Sequence, residues 1–410
     1  MKSLPRLNSA AHLVTAASVS ASLIFVSPAM AQEAETPGVQ PTTESSTREA
    51  APNTDGCPNS LIPPEPTTTS EALAPGMSSP APLPPSANAQ CGISTVPGFR
   101  MPDEILASAW IVADLDSGDI IAQKDPHGRY RPASIIKALL ALVAIRELDP
   151  AKQVTVSHES ASQDGSAVGI GEGGVYTVEQ LLEGLLLASG NDAAHALAQE
   201  LGGDEATLRK VNDLAVELGT TDTRVATYSG LDAPGMSSSA YDLGLIYRAA
   251  YADPTFARLV GTESVEFPGY EDHEGYEVWN DNGLFMNDPD GIGGKTGYTD
   301  DAHHTFVGAM DRGGRRLVAV LLDTTIDGGR AWEQAQRLLH EAYTQPVGAS
   351  IGTLGQPVTS TAVAPAPSPE STPVRAGAQE NRVVPLLGVG IAAAVVLLLL
   401  IVGTVVLRRR

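Results

Sequence analysis

The sequence predicts an α+β domain whose antiparallel sheet is formed from both ends of the domain, with flanking helices and a helical region inserted between the two groups of strands. Two observations support this class. Short β-rich runs stand near both ends of residues 98–348, and the sequence between them shows helix start signals and helical spacing of apolar residues. Strands that precede and follow a block of helices are typical of an antiparallel sheet with segregated helices.

The strands are predicted at the two ends of this region. At the start, residues 109–113 and 120–122 flank the turn-rich residues 116–119, which is typical of a hairpin of adjacent antiparallel strands. Near the end, the β-rich residues 304–310 and 317–323 are joined through a pair of glycines. The sheet therefore draws on both groups.

Helices are predicted in the middle and at the end. Thr177 with Gln180 three residues later forms a capping box, the pattern that opens many helices. The predicted helical runs are 132–145, 177–187, 193–201 and 330–343. A last helix thus follows the second group of strands.

The N-terminal flank is predicted to lie outside the folded domain. Residues 1–31 combine early Lys and Arg residues, a short apolar stretch and the triplet Ala29-Met30-Ala31, which is the pattern of a cleaved signal peptide. An uncleaved membrane anchor is the alternative. Residues 32–97 are dense in Pro, Ser and Thr and poor in large apolar residues, so we expect a disordered spacer there.

The C-terminal flank has a similar composition and then changes sharply. Residues 349–382 are expected to be a disordered tether. Residues 383–407 are uncharged and almost wholly apolar, and a membrane span needs about 20 such residues. The three arginines at 408–410 would form a cytoplasmic tail. The sequence therefore predicts a single-pass protein of the cell membrane with its domain outside the cytoplasm.

Charge and cysteine content exclude some functions. The formal net charge is −22, which argues against a nucleic-acid partner because phosphate binding requires clustered Lys and Arg. The two cysteines, Cys57 and Cys91, lie in exported chain where disulfides persist, and we favour their pairing. Neither stands in a metal-ligand pattern, so we predict no metal and no cofactor.

A serine and a lysine are the first candidate catalytic residues. Ser134 and Lys137 are three residues apart at the start of a predicted helix, and such positions share one face. The residues around Lys137 are apolar, and such a setting would desolvate the ammonium and lower its pKa towards that of a usable base. The alternative is a helix-capping serine beside a solvated lysine.

Two further motifs follow in order. Ser189 and Asn191 surround a glycine after an apolar run, where polar groups leave a helix on a loop, although a capping turn would explain this triplet as well. Lys295-Thr296-Gly297 follows a glycine-rich run, and a turn between strands explains the glycines but not the lysine. The conjunction of the three motifs is far more specific than any one of them.

With these motifs, the sequence resembles the D-alanyl-D-alanine carboxypeptidases, the low-molecular-mass penicillin-binding proteins. The similarity extends to residues 131–134, 189–194, 229–232 and 294–299. The resemblance implies a DD-peptidase/β-lactamase-like fold and makes residues 98–348 a DD-peptidase catalytic domain. It also implies peptidoglycan stem peptides ending in D-Ala-D-Ala as substrates and β-lactams as covalent inhibitors.

The resemblance also implies catalytic roles. Ser134 would be the acylated nucleophile, and neutral Lys137 the base that takes its proton. Ser189 would pass that proton to the leaving amine. Asn191 would orient Lys137 and hold the substrate amide.

The other implied roles concern substrate binding. Lys295 and Thr296 would bind the terminal carboxylate of the substrate. Gly297 would leave the strand edge open for an extended peptide. The backbone N–H groups of Tyr298 and Ser134 would form the oxyanion hole.

Two alternatives remain at this point. A class A β-lactamase shares the three motifs but deacylates through an added glutamate, and no Glu-x-x-Leu-Asn pattern stands between the second and third motifs. A non-catalytic, wall-binding membrane protein is the other alternative. The intact motif residues argue against it.

Overall fold

A computed structural model describes residues 47–86 and 90–355 of the chain. The predicted signal peptide, transmembrane helix and Arg tail lie outside the described residues, as does most of the predicted C-terminal tether. Within 47–86 and 90–355, no helix is both long and apolar enough to cross a membrane. The elements below all belong to one compact unit that ends at Leu354.

The main sheet has seven strands, in the order β1-β3-β2-β10-β9-β8, with β11 pairing with β3. Every pair in it is antiparallel. Two small two-stranded sheets, β4-β5 and β6-β7, lie apart from it. The strands are β1 Ile93–Thr95, β2 Ala109–Asp114, β3 Asp119–Lys124, β4 Gln153–Thr155, β5 Val175–Thr177, β6 Ser264–Phe267, β7 Tyr276–Trp279, β8 Gly291–Thr299, β9 His303–Arg312, β10 Arg315–Thr324 and β11 Gly352–Thr353.

Most helices stand between β3 and β8 in the chain, so the α+β class with an inserted helical region is confirmed. A 3₁₀ turn at Ala133–Ile136 leads directly into α1. The helices are α1 Lys137–Glu147, α2 His158–Ala161, α3 Val178–Leu187, α4 Asn191–Glu200, α5 Asp204–Glu217, α6 Ala240–Ala252, α7 Pro254–Val260, α8 Gly283–Asn287 and α9 Ala331–Tyr343.

Local chemistry explains several of these boundaries. The Thr177 side chain accepts from the backbone N–H of Gln180, and the Gln180 side chain accepts from the backbone N–H of Thr177, so the predicted capping box opens α3. Apolar residues cover α1 on all sides, and its first eight residues, 137–144, are buried. A helix that is apolar all round belongs inside the core.

The sheet separates two apolar layers. Alternate residues of β2 face opposite sides, since Ile111 belongs to the cluster on the side of α1, whereas Trp110 and Val112 belong to the cluster beneath α9. Helix α1 therefore lies at the centre of the larger layer. The 3₁₀ turn at its N-terminal end packs against β8 and β9 of the sheet.

The folded unit is longer than the predicted 98–348. Strand β1 pairs with β3 before residue 98, and β11 pairs with β3 after residue 348. Leu354 is fully buried in the larger apolar layer. These strands are three and two residues long, too short to show a period-two pattern in the sequence.

The described part of residues 32–97 also differs from the disordered spacer that we predicted. Residues 59–86, which we call the N-terminal strap, are held against the domain, and Cys57 is paired with Cys91. Buried Arg129, for example, donates to the backbone oxygens of Leu61 and Leu83 at 2.8 and 2.7 Å. Composition missed the strap because polar contacts to the domain hold it, not apolar side chains of its own.

Candidate active site

Ser134 lies in the 3₁₀ turn that precedes α1. Its side chain is partly exposed, whereas its neighbours Ala133 and Ile135 are buried. The turn is tied to the sheet because Thr305 Oγ1 on β9 donates to the backbone oxygen of Pro132 at 2.7 Å. The hydroxyl is therefore presented to solvent from a fixed backbone.

Lys137 is the first residue of α1 and is fully buried. Its Nζ lies 2.8 Å from Ser134 Oγ, 2.7 Å from Asn191 Oδ1 and 2.6 Å from the backbone oxygen of Ser229. Burial lowers the pKa of Lys137 well below its ordinary value, and the positive charge of Lys295 lowers it further. A neutral amine has two N–H groups, which can donate to the two carbonyl oxygens. Its lone pair then remains free to accept the proton of the Ser134 hydroxyl.

The second motif lies between α3 and α4. Asn191 begins α4, and its Nδ2 donates to the backbone oxygen of Asp164 at 2.6 Å, so the orientation of its amide oxygen towards Lys137 is set. Ser189 is nearly buried and has φ of 60°. Its hydroxyl makes no hydrogen bond to another residue in 47–86 or 90–355, so the structure places it on the loop without a hydrogen bond to Ser134.

The third motif lies on β8, at the edge of the main sheet. Lys295 is fully buried, and its Nζ lies 3.3 Å from Thr296 Oγ1 and 3.6 Å from Asp281 Oδ2. Thr296 Oγ1 donates to Asp281 at 2.7 Å. Burial lowers the pKa of Lys295, while the charge of Asp281 and its hydrogen bond act in the opposite direction.

Gly297 allows β8 to approach the nucleophile. A Cβ atom at this position would lie 3.0 Å from the backbone nitrogen of Ser134 and would collide with Thr305 Oγ1. Tyr298 follows with its side chain half exposed, and its hydroxyl donates to Asp300 at 3.1 Å. The backbone of β8 thus passes directly beside Ser134, as the predicted oxyanion site requires.

Two contacts at the site were not predicted from the sequence. The backbone oxygen of Ser229 accepts from Lys137, and Gly230 beside it has φ of 87°, at a position where a Cβ would collide with the carbonyl of Ala133. In the sequence, residues 229–232 indicate only the family resemblance. Asp281 stands outside any motif, and no sequence signal pointed to it.

Only one group of potential metal ligands is found in the described ranges. Glu159, His195 and Asp204 bring their ligand atoms within 4.8 Å of one another, but the two carboxylates are exposed. His195 is buried, with Nδ1 2.8 Å from Ser160 Oγ and Nε2 3.1 Å from Gln199 Nε2. These contacts account for His195 as a packed helix residue, and we assign it no metal.

Comparison with known proteins agrees with this geometry. Residues 97–325 match the family model described as D-alanyl-D-alanine carboxypeptidase. A Mycobacterium tuberculosis protein named D-alanyl-D-alanine carboxypeptidase DacB2 is 46% identical over 252 residues, which are 60% of this chain and 86% of that protein.

Solved structures show the same likeness. The crystal structure of a D-alanyl-D-alanine carboxypeptidase from M. tuberculosis has a TM-score of 0.61 and 44% identity, covering 64% of this chain and all of that one. Penicillin binding protein 6B from Escherichia coli has a TM-score of 0.54 and 32% identity, covering 60% and 80%. The chain therefore belongs to the D-alanyl-D-alanine carboxypeptidase family.

Proposed function

We propose that this protein is a serine-type D-alanyl-D-alanine carboxypeptidase that removes the terminal D-alanine from peptidoglycan stem peptides. One observation carries the assignment of the reaction to named residues. The fully buried amine of Lys137 lies 2.8 Å from the hydroxyl oxygen of Ser134, and its two other partners are carbonyl oxygens. This arrangement favours the neutral amine, which can accept the proton of Ser134.

The reaction proceeds through an ester on Ser134. Lys137 takes the hydroxyl proton as Ser134 Oγ attacks the carbonyl carbon between the last two D-alanines. The N–H groups of Ser134 and Tyr298 stabilise the negative oxygen of the tetrahedral intermediate. Collapse breaks the C–N bond, and a proton delivered through Ser189 lets D-alanine leave as an amine. Water then hydrolyses the ester and regenerates the hydroxyl.

The C-terminal carboxylate of the peptide is bound at the other end of the cleft. Lys295 carries the positive charge, and Thr296 supplies a hydroxyl beside it. Asp281 holds both groups before substrate arrives, since it lies 3.6 Å from the amine and accepts from the hydroxyl. A carboxylate entering here would exchange contacts with Asp281 for a charge-assisted contact of its own.

Release of D-alanine tests this proposal directly. We expect the purified full chain to release D-alanine from a peptide ending in D-Ala-D-Ala, and we expect Ser134→Ala to release none above background. Ser117→Ala, which changes a serine on the exposed turn between β2 and β3, is a control that should keep full activity. An active Ser134→Ala variant would remove the nucleophile from the mechanism.

Penicillin is expected to form a stable ester on Ser134. The lactam amide takes the place of the D-Ala-D-Ala amide, and no dedicated deacylating glutamate was identified in the sequence. Intact-mass and peptide mass spectrometry should place the adduct on the peptide that contains Ser134. Rapid catalytic turnover of penicillin would instead favour the β-lactamase alternative.

We further propose that the catalytic domain lies outside the cytoplasm and is held to the cell membrane by residues 383–407. The signal-like residues 1–31, the apolar composition of 383–407 and the arginines at 408–410 support this topology.

Proteolysis of intact cells tests the topology. Protease added to cells stripped of their outer barriers should remove the catalytic domain and leave a C-terminal fragment that contains Arg408 to Arg410 in the membrane. A protected catalytic domain would overturn the orientation. Recovery of the full chain in the soluble fraction would exclude the membrane helix.

A further inference from the structure

The N-terminal strap is attached to the domain at two points that adjoin the catalytic residues. On one side, Arg131 Nε donates to Glu71 at 2.5 Å and its Nη1 donates to the backbone oxygen of Pro64 at 2.8 Å. Arg131 is itself nearly buried and stands three residues before Ser134. The strap is thereby tied to the segment that carries the nucleophile.

The second attachment is at the end of β8. The carboxylate of Asp301 accepts from the backbone N–H groups of Thr67 and Thr68 and from the hydroxyls of Thr67, Thr68 and Ser70, at 2.5 to 2.9 Å. Burial alone would raise the pKa of Asp301, but these hydrogen bonds hold it well below its usual range. Asp301 is therefore an anionic anchor, three residues after Tyr298.

A third segment of the site ends at the same place. The loop that supplies the Ser229 oxygen to Lys137 continues to Asp232. Burial raises the pKa of Asp232, and the charge of Arg131 lowers it while those of Asp301 and Glu71 raise it. Of these three segments, the strap contacts two directly, through Arg131 and Asp301, and the charge of its Glu71 acts on the third.

The direction of the substrate places its stem at this end of the cleft. In the proposed function, the terminal carboxylate lies at Lys295 and Thr296, and the scissile carbonyl lies at Ser134 and Tyr298. The rest of the peptide must then continue past Tyr298 towards Asp301. An extended peptide advances about 3.3 Å per residue. The second and third residues before the scissile bond would therefore lie alongside the segment from Tyr298 to Asp301.

We infer that the N-terminal strap is the wall of the subsite for the stem, and that residues 66–70 determine how well long stem peptides are used relative to short ones. This inference rests on the proposed function. The strap precedes residue 97, where the family match begins, so it lies outside the residues that the family model covers. The ligand class is a peptide with at least two residues ahead of its D-Ala-D-Ala end.

The test compares two peptides on the full-length protein. The long peptide is L-Ala-γ-D-Glu-L-Lys-D-Ala-D-Ala, and the short one is N-acetyl-D-Ala-D-Ala. The triple variant Thr67→Val/Thr68→Val/Ser70→Ala removes the three hydroxyl donors to Asp301 at nearly constant side-chain volume. The control, Thr69→Val/Ser78→Ala/Ser79→Ala, changes exposed hydroxyls of the same strap for which the described residues provide no hydrogen-bond partner.

We expect the triple variant to lower the ratio of kcat/KM for the long peptide to that for the short one about three- to tenfold, the effect of a single lost contact. The rate of acylation by penicillin, which is too short to reach the strap, should be unchanged. The control should keep the wild-type ratio. Limited proteolysis between Cys57 and Cys91 reports whether the strap has loosened.

A second variant is needed in case the strap of the triple variant keeps its position on the domain. Making residues 66–70 all glycine removes every side chain there while leaving Pro64 and Glu71 on Arg131. If it acylates penicillin normally and keeps the wild-type ratio, the inference is wrong; if it cannot be acylated, the ratio of the triple variant decides. A wild-type protein that releases D-alanine from neither peptide would instead refute the proposed function.

Discussion

Replacing Lys137 with methionine is expected to lower the rate constant for acylation of Ser134 by about 10²- to 10⁴-fold, the usual contribution of a positioned general base. Methionine is nearly as long as lysine and fills the buried position, but its thioether sulfur is far too weak a base to accept the Ser134 proton. The loss should be the same for a peptide acid, its C-terminal amide and penicillin, because all three are attacked by the same hydroxyl. Stopped-flow acylation by a fluorescent penicillin and D-alanine release would measure it.

Lys124→Met is the matched control. Lys124 is also buried, and burial lowers its pKa to about 8, but its amine donates to the backbone oxygen of Ala107, far along the sheet from β8. This variant should acylate at the wild-type rate per folded molecule. Equal losses in the two variants would show that a buried amine matters for folding and not for proton transfer.

The pH dependence of the wild-type enzyme gives an independent readout for Lys137. Its pKa is lowered well below 10.5 by burial, and only the neutral amine accepts a proton. Acylation should therefore be fastest above this pKa and fall as the pH decreases through it. This fall is the acidic limb of the acylation profile, and Lys137→Met should lack it. An acidic limb that persists in the variant would come from the titration of another group.

The sequence predicted those parts of the fold that depend on local patterns. The strands that became β2, β3, β9 and β10, and the capping box that opens α3, follow from residue spacing and side-chain chemistry within a few positions. The Ser134–Lys137 pair is also local, because the first turn of a helix brings the two side chains together.

The remainder depends on contacts between distant residues. The carbonyl of Ser229 reaches Lys137 because its loop packs against the 3₁₀ turn, and a backbone oxygen carries no residue-specific signal. Asp281 lies in the loop between β7 and α8, and it contacts Lys295 on β8. No periodicity in the sequence marks either contact.

The N-terminal strap is another part of the fold that the sequence did not predict, because its order depends on contacts with distant residues. Its composition is that of a disordered segment, and by itself it has too few large apolar residues to form a core. Its order comes from the domain, where the buried cations Arg129 and Arg131 and the anion Asp301 bind its backbone and short side chains. A rule based on composition evaluates the segment alone and cannot include these partners.

Lys295→Ala is expected to act selectively on substrates with a free terminal carboxylate. The net contribution of a hydrogen bond to a charged group is about 1.5 to 3 kcal/mol, so kcat/KM for the peptide acid should fall by roughly one to two orders of magnitude. For the C-terminal amide of the same peptide, kcat/KM should fall much less. The ratio of kcat/KM for the acid to kcat/KM for the amide should therefore decrease. Arg330→Ala, which changes an exposed cation at the start of α9, should leave this acid-to-amide ratio of kcat/KM unchanged.

The charge of Lys295 also acts on the base, and the measurement must separate the two effects. Lys295 lowers the pKa of Lys137, so its removal should raise that pKa and move the acidic limb of the acylation profile to higher pH. The comparison of acid with amide is therefore made on the plateau above the limb in each protein, where Lys137 is neutral. If Lys295→Ala keeps the full preference for the free acid on that plateau, another cation binds the carboxylate, and the limb shift would be the only consequence of the lost charge.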